Sequence, residues 1–111
     1  MDNKKNDTYY FSKCLEDIDA IINHLGEASY EEFLSDGKTI DSVMFRFIQL
    51  AENVKSISAE FKDEYPSIDW AGIVGFRNKI VHEYKKVDYT YVYDTIKDDL
   101  PNLKLFLEQF L

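Results

Sequence analysis

The sequence predicts an all-α fold, a bundle of four to five helices that forms a single domain over residues 1–111. Apolar residues recur every three or four positions along several stretches, which is the spacing of one helical face. No stretch shows the two-residue alternation of a half-buried strand. Hydrophobic residues make up 45% of the chain and aromatic residues 15%, a composition that argues against disorder.

The first amphipathic helix is expected from about Asp7 to Leu25. Ser29 is placed to cap a short helical turn at residues 30–34, and Gly37 is expected to break or hinge the chain after it. The apolar face of the first helix contains Phe11, Leu15, Ile18, Ile22 and Leu25.

The second pattern is the longest and predicts one continuous helix that ends at Tyr65-Pro66-Ser67, because the residue before a proline avoids the helical region. Ser67 or Asp69 is then available to cap a third long helix. The apolar face of the second helix contains Ile40, Val43, Phe47, Leu50, Val54, Ile57 and Phe61. The third helix carries Trp70, Ile73, Arg77, Ile80 and Tyr84.

A polar link at residues 85–88 precedes the last helical segment, for which Asp88 is the expected cap. Pro101 falls inside this segment. Because proline removes a backbone donor and clashes with the preceding turn, we expect a kink there or a fresh helix starting near Pro101. The apolar positions are Tyr89, Val92, Ile96, Leu100, Leu103, Leu107 and Phe110.

Composition also narrows the class of protein. No apolar run approaches the roughly 20 residues of a membrane span, and the polar leader Met1 to Asp7 precedes no signal-peptide segment, so we expect a cytoplasmic protein. Cys14 is the only cysteine and is expected to be a buried thiol without a chemical role. Two histidines and one cysteine at unrelated positions provide no metal-ligand spacing, and the four glycines are scattered. We therefore expect neither a metal nor a cofactor.

The stretch from Arg77 to Tyr84 contains residues suited to phosphodiester chemistry: one of two arginines, one of two histidines and a tyrosine. An arginine fork binds phosphate oxygens bidentately, and a histidine exchanges protons near neutral pH. We expect His82 to act as general base or acid for a ribose 2′-hydroxyl, while Arg77 stabilises the charge on the phosphoryl oxygens. Tyr84 would donate a hydrogen bond or hold the substrate.

Helical geometry constrains how these residues meet. Arg77 and Tyr84 lie within about 20° of each other around an ideal helix, whereas His82 lies about 140° from Arg77. Arg77 and His82 can serve one phosphate if the helix unwinds, if their side chains wrap toward each other, or if two copies meet across a two-fold axis. Asn78 precedes His82 by four residues, where its amide could orient the imidazole or contact the ribose phosphate.

The motif Arg77-x4-His82-x-Tyr84 resembles the motif of the HepT-like toxins of the HEPN superfamily, and the resemblance covers nearly the whole chain. Ala51 and Asn53 depart from the family, in which many relatives have glycine and alanine around the glutamate that matches Glu52. The recurrent blocks that match are residues 31–34 with Asp36, Ile68-Asp69-Trp70, residues 73–76 and residues 99–103.

The resemblance implies a HEPN-like domain that dimerises with a composite cleft between paired motifs. It further implies a metal-independent endoribonuclease, the toxin of a type VII-like toxin–antitoxin system, with tRNA or mRNA as substrate. Its partner would be a minimal nucleotidyltransferase antitoxin that neutralises the toxin by adding AMP to Tyr84. From the geometry and the resemblance together we expect a homodimer.

The net charge of −8 is the main objection to this interpretation, because a protein that binds polyanions normally carries a basic face. The motif is locally positive, with Arg77, Lys79, Lys85 and Lys86 against Glu83. Lys79 is a candidate for supporting substrate binding, although its spacing from Glu83 favours a solvated surface pair. The alternative is a noncatalytic helical binding module whose acidic surface docks the nucleotidyltransferase.

Overall fold

A computed structural model describes the backbone of residues 4–111 and the side chains from residue 6 onward. It contains α1 (Lys4–Leu25), α2 (Tyr30–Leu34), α3 (Gly37–Ser56), α4 (Ala59–Glu64), α5 (Trp70–Glu83), a 3₁₀ turn (Tyr84–Lys86), α6 (Tyr89–Asp94), a π-helical turn (Thr95–Asp99) and α7 (Leu100–Glu108). No strand occurs in residues 4–111, so the predicted all-α fold is confirmed. Because α6, the π turn and α7 follow one another without interruption, residues 4–111 contain four long helical segments and two short helices.

The core lies between α1 and α3 and extends to α5 and α7, which pack on their outer sides. Its centre is aliphatic and includes Ile18, Ile21, Val43, Val54 and Leu107, all with essentially no solvent exposure. An aromatic cluster closes the end of the bundle where α4 and the chain terminus meet. Its rings belong to Phe11, Phe61, Tyr65, Trp70, Phe106 and Phe110. Cys14 is fully buried, as expected.

The second long helix is not continuous, which corrects the prediction that it runs through Phe61. It ends at Ser56, because Ile57 and Ser58 adopt extended backbone angles. Ser58 caps α4 by accepting the Phe61 N–H, and its own N–H and hydroxyl donate to the buried carboxylate of Asp7 at 2.8 and 2.6 Å. Ile57 and Phe61 are both buried, so the apolar spacing persists across the break and conceals it in the sequence.

The other helix starts follow the sequence with one exception, at Gly37. Ser29 forms a capping box with Glu32, and Asp88 caps α6, as predicted. Gly37 does not break the chain; it is the first residue of α3, and Asp36 caps that helix by accepting the Thr39 N–H. Of the two candidates at the start of α5, Asp69 is the cap.

The fresh helix expected near Pro101 begins at Leu100, and the five residues before it form the π-helical turn. Pro101 occupies the first turn of α7, where its missing N–H costs least. A widened turn changes the hydrogen-bond register just before the proline, which lets the chain remain helical through this region. Within this segment the π turn and α7 pack along α1, whereas α6 packs against α2.

Candidate active site

Helix α5 carries Arg77, Asn78, Lys79 and His82, and Tyr84 opens the 3₁₀ turn directly after it. Arg77 and Tyr84 both face α3, as their seven-residue spacing predicts. Their partners on α3 occur in the reverse order along the chain, so the two helices run antiparallel. Two polar contacts thus connect the motif to α3, one made by Arg77 and the other by Tyr84.

The first contact is an ion pair between Arg77 and Glu52. Arg77 Nε lies 3.1 Å from Glu52 Oε1, and both atoms are shielded from solvent. The N–H does not point at the carboxylate oxygen, so this contact is electrostatic rather than a hydrogen bond. Arg77 Nη1 donates to Asn78 Oδ1 at 3.0 Å. These two contacts orient the guanidinium while leaving several of its five N–H groups available.

The second contact is a short hydrogen bond that the Tyr84 hydroxyl donates to Asp41. Partial burial raises the pKa of Tyr84 above its ordinary value, and the hydrogen bond and charge of Asp41 raise it further, because both favour the neutral phenol. The hydroxyl therefore stays protonated at neutral pH and acts as a hydrogen-bond donor.

His82 is exposed on the side of α5 away from Arg77, and no hydrogen bond or ion pair to it occurs among the side chains of residues 6–111. Arg77 and His82 are therefore not brought together within one chain. Asn78, proposed to orient the imidazole, instead accepts from Arg77. Lys79 and Glu83 are both exposed, and the ion pair that their spacing favours does not form.

The sequence does not identify Asp41 and Glu52 as residues that contact the motif. They are eleven residues apart, which places them within about 20° of each other around α3. The sequence therefore shows that they share a helical face but does not show which helix that face contacts. Their carboxylates change the expected charge of the site. The surroundings of the motif are not simply positive, because α3 places one acid against Arg77 and another against Tyr84.

Two exposed apolar side chains lie near the motif, one on α3 and one on α5. Phe45 lies on the same face of α3 as Asp41 and is 56% exposed, and Val81 lies beside Arg77 on α5 and is 46% exposed. Ile80 is the one fully buried residue of α5, a helix that the structure describes from end to end. Phe45 and Val81 are single exposed apolar side chains beside exposed polar ones such as Asn78 and Lys79, so they do not by themselves define a docking surface.

Two further observations concern residues 4–111 alone. No group of three or more His, Cys, Asp or Glu side chains within the described residues is arranged to hold a metal ion. Among the described helices, none combines the length and apolar character needed to cross a membrane.

Comparisons with known proteins match almost the entire chain. The family model described as "Ribonuclease HepT-like" matches residues 12–110. "Putative RNase MJ1216" of Methanocaldococcus jannaschii is 35% identical over 98 residues, which cover 87% of this chain and 80% of that protein. "Probable ribonuclease HepT" of Thermococcus cleftensis is 33% identical over 101 residues, 91% of this chain and 92% of that protein. No solved structure matches the chain significantly.

Proposed function

Because this chain belongs to the HepT-like family of ribonucleases, we propose that it is a metal-independent endoribonuclease that cleaves tRNA or mRNA in the cytoplasm. The observation that carries the proposal is the motif Arg77-x4-His82-x-Tyr84, which lies within the residues that match the family. The exposure of His82 supports it, since an unpaired imidazole at the surface is free to approach an RNA backbone.

In the proposed reaction His82 removes the proton of a ribose 2′-hydroxyl, or protonates the leaving 5′-oxygen, as the 2′-oxygen attacks the adjacent phosphorus. Arg77 stabilises the charge that builds on the phosphoryl oxygens. Tyr84 holds the substrate, or donates its one hydroxyl proton to it after releasing Asp41. Asn78 and Lys79 support binding from α5. The contact with Glu52 orients the arginine before substrate arrives.

The first experiment incubates the purified protein with total tRNA in EDTA and compares the wild-type chain with Arg77→Ala and His82→Ala on a denaturing gel. His24→Ala is the matched control, because His24 is the other histidine and is exposed at the end of α1. We expect wild type and His24→Ala to cleave and the two motif variants to lose cleavage. Cleavage that survives in His82→Ala would contradict the assignment.

The working enzyme is proposed to be a homodimer in which the Arg77 of one chain faces the His82 of the other. The divergence of these side chains within one chain supports this arrangement. The mass in solution, measured by light scattering, should be that of two chains. A monomer with full activity would contradict the dimer.

A mixing experiment tests whether each site is shared between chains. Arg77→Ala and His82→Ala are each expected to be inactive, but a random mixture would form mixed dimers in about half of the pairs, each with one intact composite site. Unfolding and refolding them together should therefore restore about a quarter of wild-type activity. No restoration would mean that Arg77 and His82 act within one chain.

The protein is proposed to be the toxin of a toxin–antitoxin pair, neutralised when a minimal nucleotidyltransferase attaches AMP to Tyr84. The phosphate would then lie on the Arg77 side of α5, where it would occupy the arginine fork and repel RNA. With the partner and labelled ATP, Tyr84→Phe should lose labelling, whereas Tyr91→Phe, at an exposed tyrosine elsewhere, should keep it. Undiminished labelling of Tyr84→Phe would contradict the modification site.

One observation favours a second candidate, a noncatalytic module that partners the nucleotidyltransferase. Arg77 is already engaged by Glu52 and Asn78, and the chain carries a net charge of −8, which suits a basic protein partner. The toxin requires that expression alone arrests growth and that His82→Ala relieves the arrest. Unaffected growth with wild-type protein would favour the binding module.

A further inference from the structure

A polar cleft lies between α1 and α3, separate from the motif. Its volume is about 330 Å³, which is within the usual range for small-ligand sites. On α3, Arg46 and Asn53 line the cleft and lie about 120° around the helix from Glu52, which faces the motif. The side chains that matter for its chemistry are Tyr9, Lys13, Asp17, Arg46, Gln49 and Asn53.

A buried carboxylate organises this cleft. The side chain of Asp17 is 6% exposed and accepts from Arg46 Nη1 at 3.0 Å and from Asn53 Nδ2 at 2.7 Å. These bonds fix the guanidinium and the amide in place. Arginine has five N–H donors and no acceptor, so most of its donors remain available on the part of the side chain that is open to solvent.

The other side of the cleft provides an aromatic surface and a second cation. Tyr9 is 58% exposed, and its ring meets Tyr10 in an edge-to-face contact, with centroids 5.1 Å apart. Lys13 Nζ lies 5.6 Å from the Tyr9 ring centroid and 3.6 Å from a carboxylate oxygen of Glu16. Gln49 is exposed and has no hydrogen-bond partner among the described side chains.

We propose that this cleft binds one nucleotide. Arg46 and Lys13 contact the phosphate, a base stacks on Tyr9, and the amides of Gln49 and Asn53 bond to the base edge. Arg46 with Asp17 and Lys13 with Glu16 make the cleft neutral overall, so a phosphate would be held by the N–H donors that Arg46 and Lys13 keep available and not by a net positive charge.

A second cleft, of about 380 Å³, does not suit the same ligand. It lies beside the start of α5 and is lined mainly by apolar side chains such as Phe47, Phe76 and Leu103. Its charged residues are Asp69 and Asp99, and no lysine or arginine lines it. A phosphate there would meet carboxylates without a cation, which is unfavourable in a partly desolvated site.

The nucleotide has two possible sources: a segment of an RNA strand, or a free mononucleotide. A 2′-O-methyl hexa-adenylate, which lacks the attacking hydroxyl, and AMP serve as probes, and binding is measured by calorimetry in EDTA. If AMP binds with a comparable Kd, the site takes free nucleotide. If only the oligonucleotide binds, it takes a strand.

The decisive variants are Tyr9→Ala and Gln49→Ala, because both side chains are exposed and neither anchors the core. Losing a stacked base should weaken Kd by about tenfold in Tyr9→Ala. Arg46→Lys keeps the charge but loses the planar fork, and should also weaken binding. Tyr91→Ala is the matched control, a tyrosine that is 51% exposed outside this cleft, and should bind as wild type does.

The proposal is overturned if wild type binds neither probe, or if Tyr9→Ala and Gln49→Ala bind the hexa-adenylate as tightly as wild type. The result is separable from the proposed nuclease, because His82→Ala should keep this binding while losing cleavage. An absence of cleavage in wild type would count against the nuclease and leave the nucleotide cleft standing. Circular dichroism melts of each variant verify that it is folded.

Discussion

Replacing Asp7 by alanine should destabilise the protein more than any single change to the motif. Asp7 lies in the first turn of α1, and its carboxylate accepts both the N–H and the hydroxyl of Ser58 at 2.8 and 2.6 Å. Both residues are buried. The two bonds tie the start of α1 to the junction at which α3 ends and α4 begins.

The magnitude follows from the number and kind of bonds lost. A hydrogen bond to a charged group contributes about 1.5–3 kcal/mol, and buried donors left without a partner add a desolvation cost, so we expect Asp7→Ala to cost about 3–5 kcal/mol. Asp7→Asn keeps one good acceptor and should cost about 2 kcal/mol. Ser58→Ala loses the hydroxyl bond and the α4 cap and should cost about 1–2 kcal/mol.

Urea unfolding followed by circular dichroism measures these differences, and a loss of 3 kcal/mol lowers Tm by about 12 °C for a domain of roughly this size. Asp63→Ala, at an exposed aspartate of α4, is the control and should change stability by less than about 0.5 kcal/mol. A cost below about 1 kcal/mol for Asp7→Ala, with an unchanged denaturant slope, would refute the importance of this junction.

Three further predictions concern stability and reactivity. The pKa of Tyr84 is raised from 10.0 by burial and by Asp41, and burial raises the pKa of Cys14 from 9.0 to about 12. Because the unfolded chain loses these protons first, the stability they contribute is present at neutral pH and declines above about pH 9, which pH-dependent urea titrations would detect. Native Cys14 should resist thiol reagents at pH 8 and react only on unfolding; labelling as fast as that of a free thiol would contradict its burial. Gly26 has φ +56°, and an added Cβ would lie 3.6 Å from the Asn23 carbonyl oxygen without a clash, so Gly26→Ala should cost about 1 kcal/mol by thermal melting from backbone strain alone.

Local patterns were sufficient to predict most of the helices. The caps at Ser29 and Asp88 act on groups within three residues of themselves, so their side chains reveal the helix starts directly. The break at Ser58 has a local cap of the same kind, because Ser58 accepts the N–H of Phe61, but the apolar spacing continues through Ile57 and Phe61 and masks it. The two bonds that Ser58 donates to Asp7, which is distant in sequence, could not be predicted from the local pattern.

The surroundings of the motif show the same limit. The spacing of Arg77, His82 and Tyr84 predicted that the first and last share a face and that the histidine lies elsewhere, and this geometry is found in the structure. That Glu52 pairs with the arginine and Asp41 with the tyrosine could not be predicted, since a carboxylate on a helix surface does not reveal which helix packs beside it.

The sequence by itself determined the apolar faces of the helices, most of the helix caps and the Arg77-x4-His82-x-Tyr84 motif, because each depends on residues within a turn or two of one another. Only the tertiary structure decided which carboxylates of α3 meet the motif, with Glu52 against Arg77 and Asp41 against Tyr84. It also decided that Asp17 draws Arg46 and Asn53 into a common cleft. These arrangements join residues that are far apart in the chain, and they follow from how the packed helices are rotated against one another, which the period of a single helix does not specify.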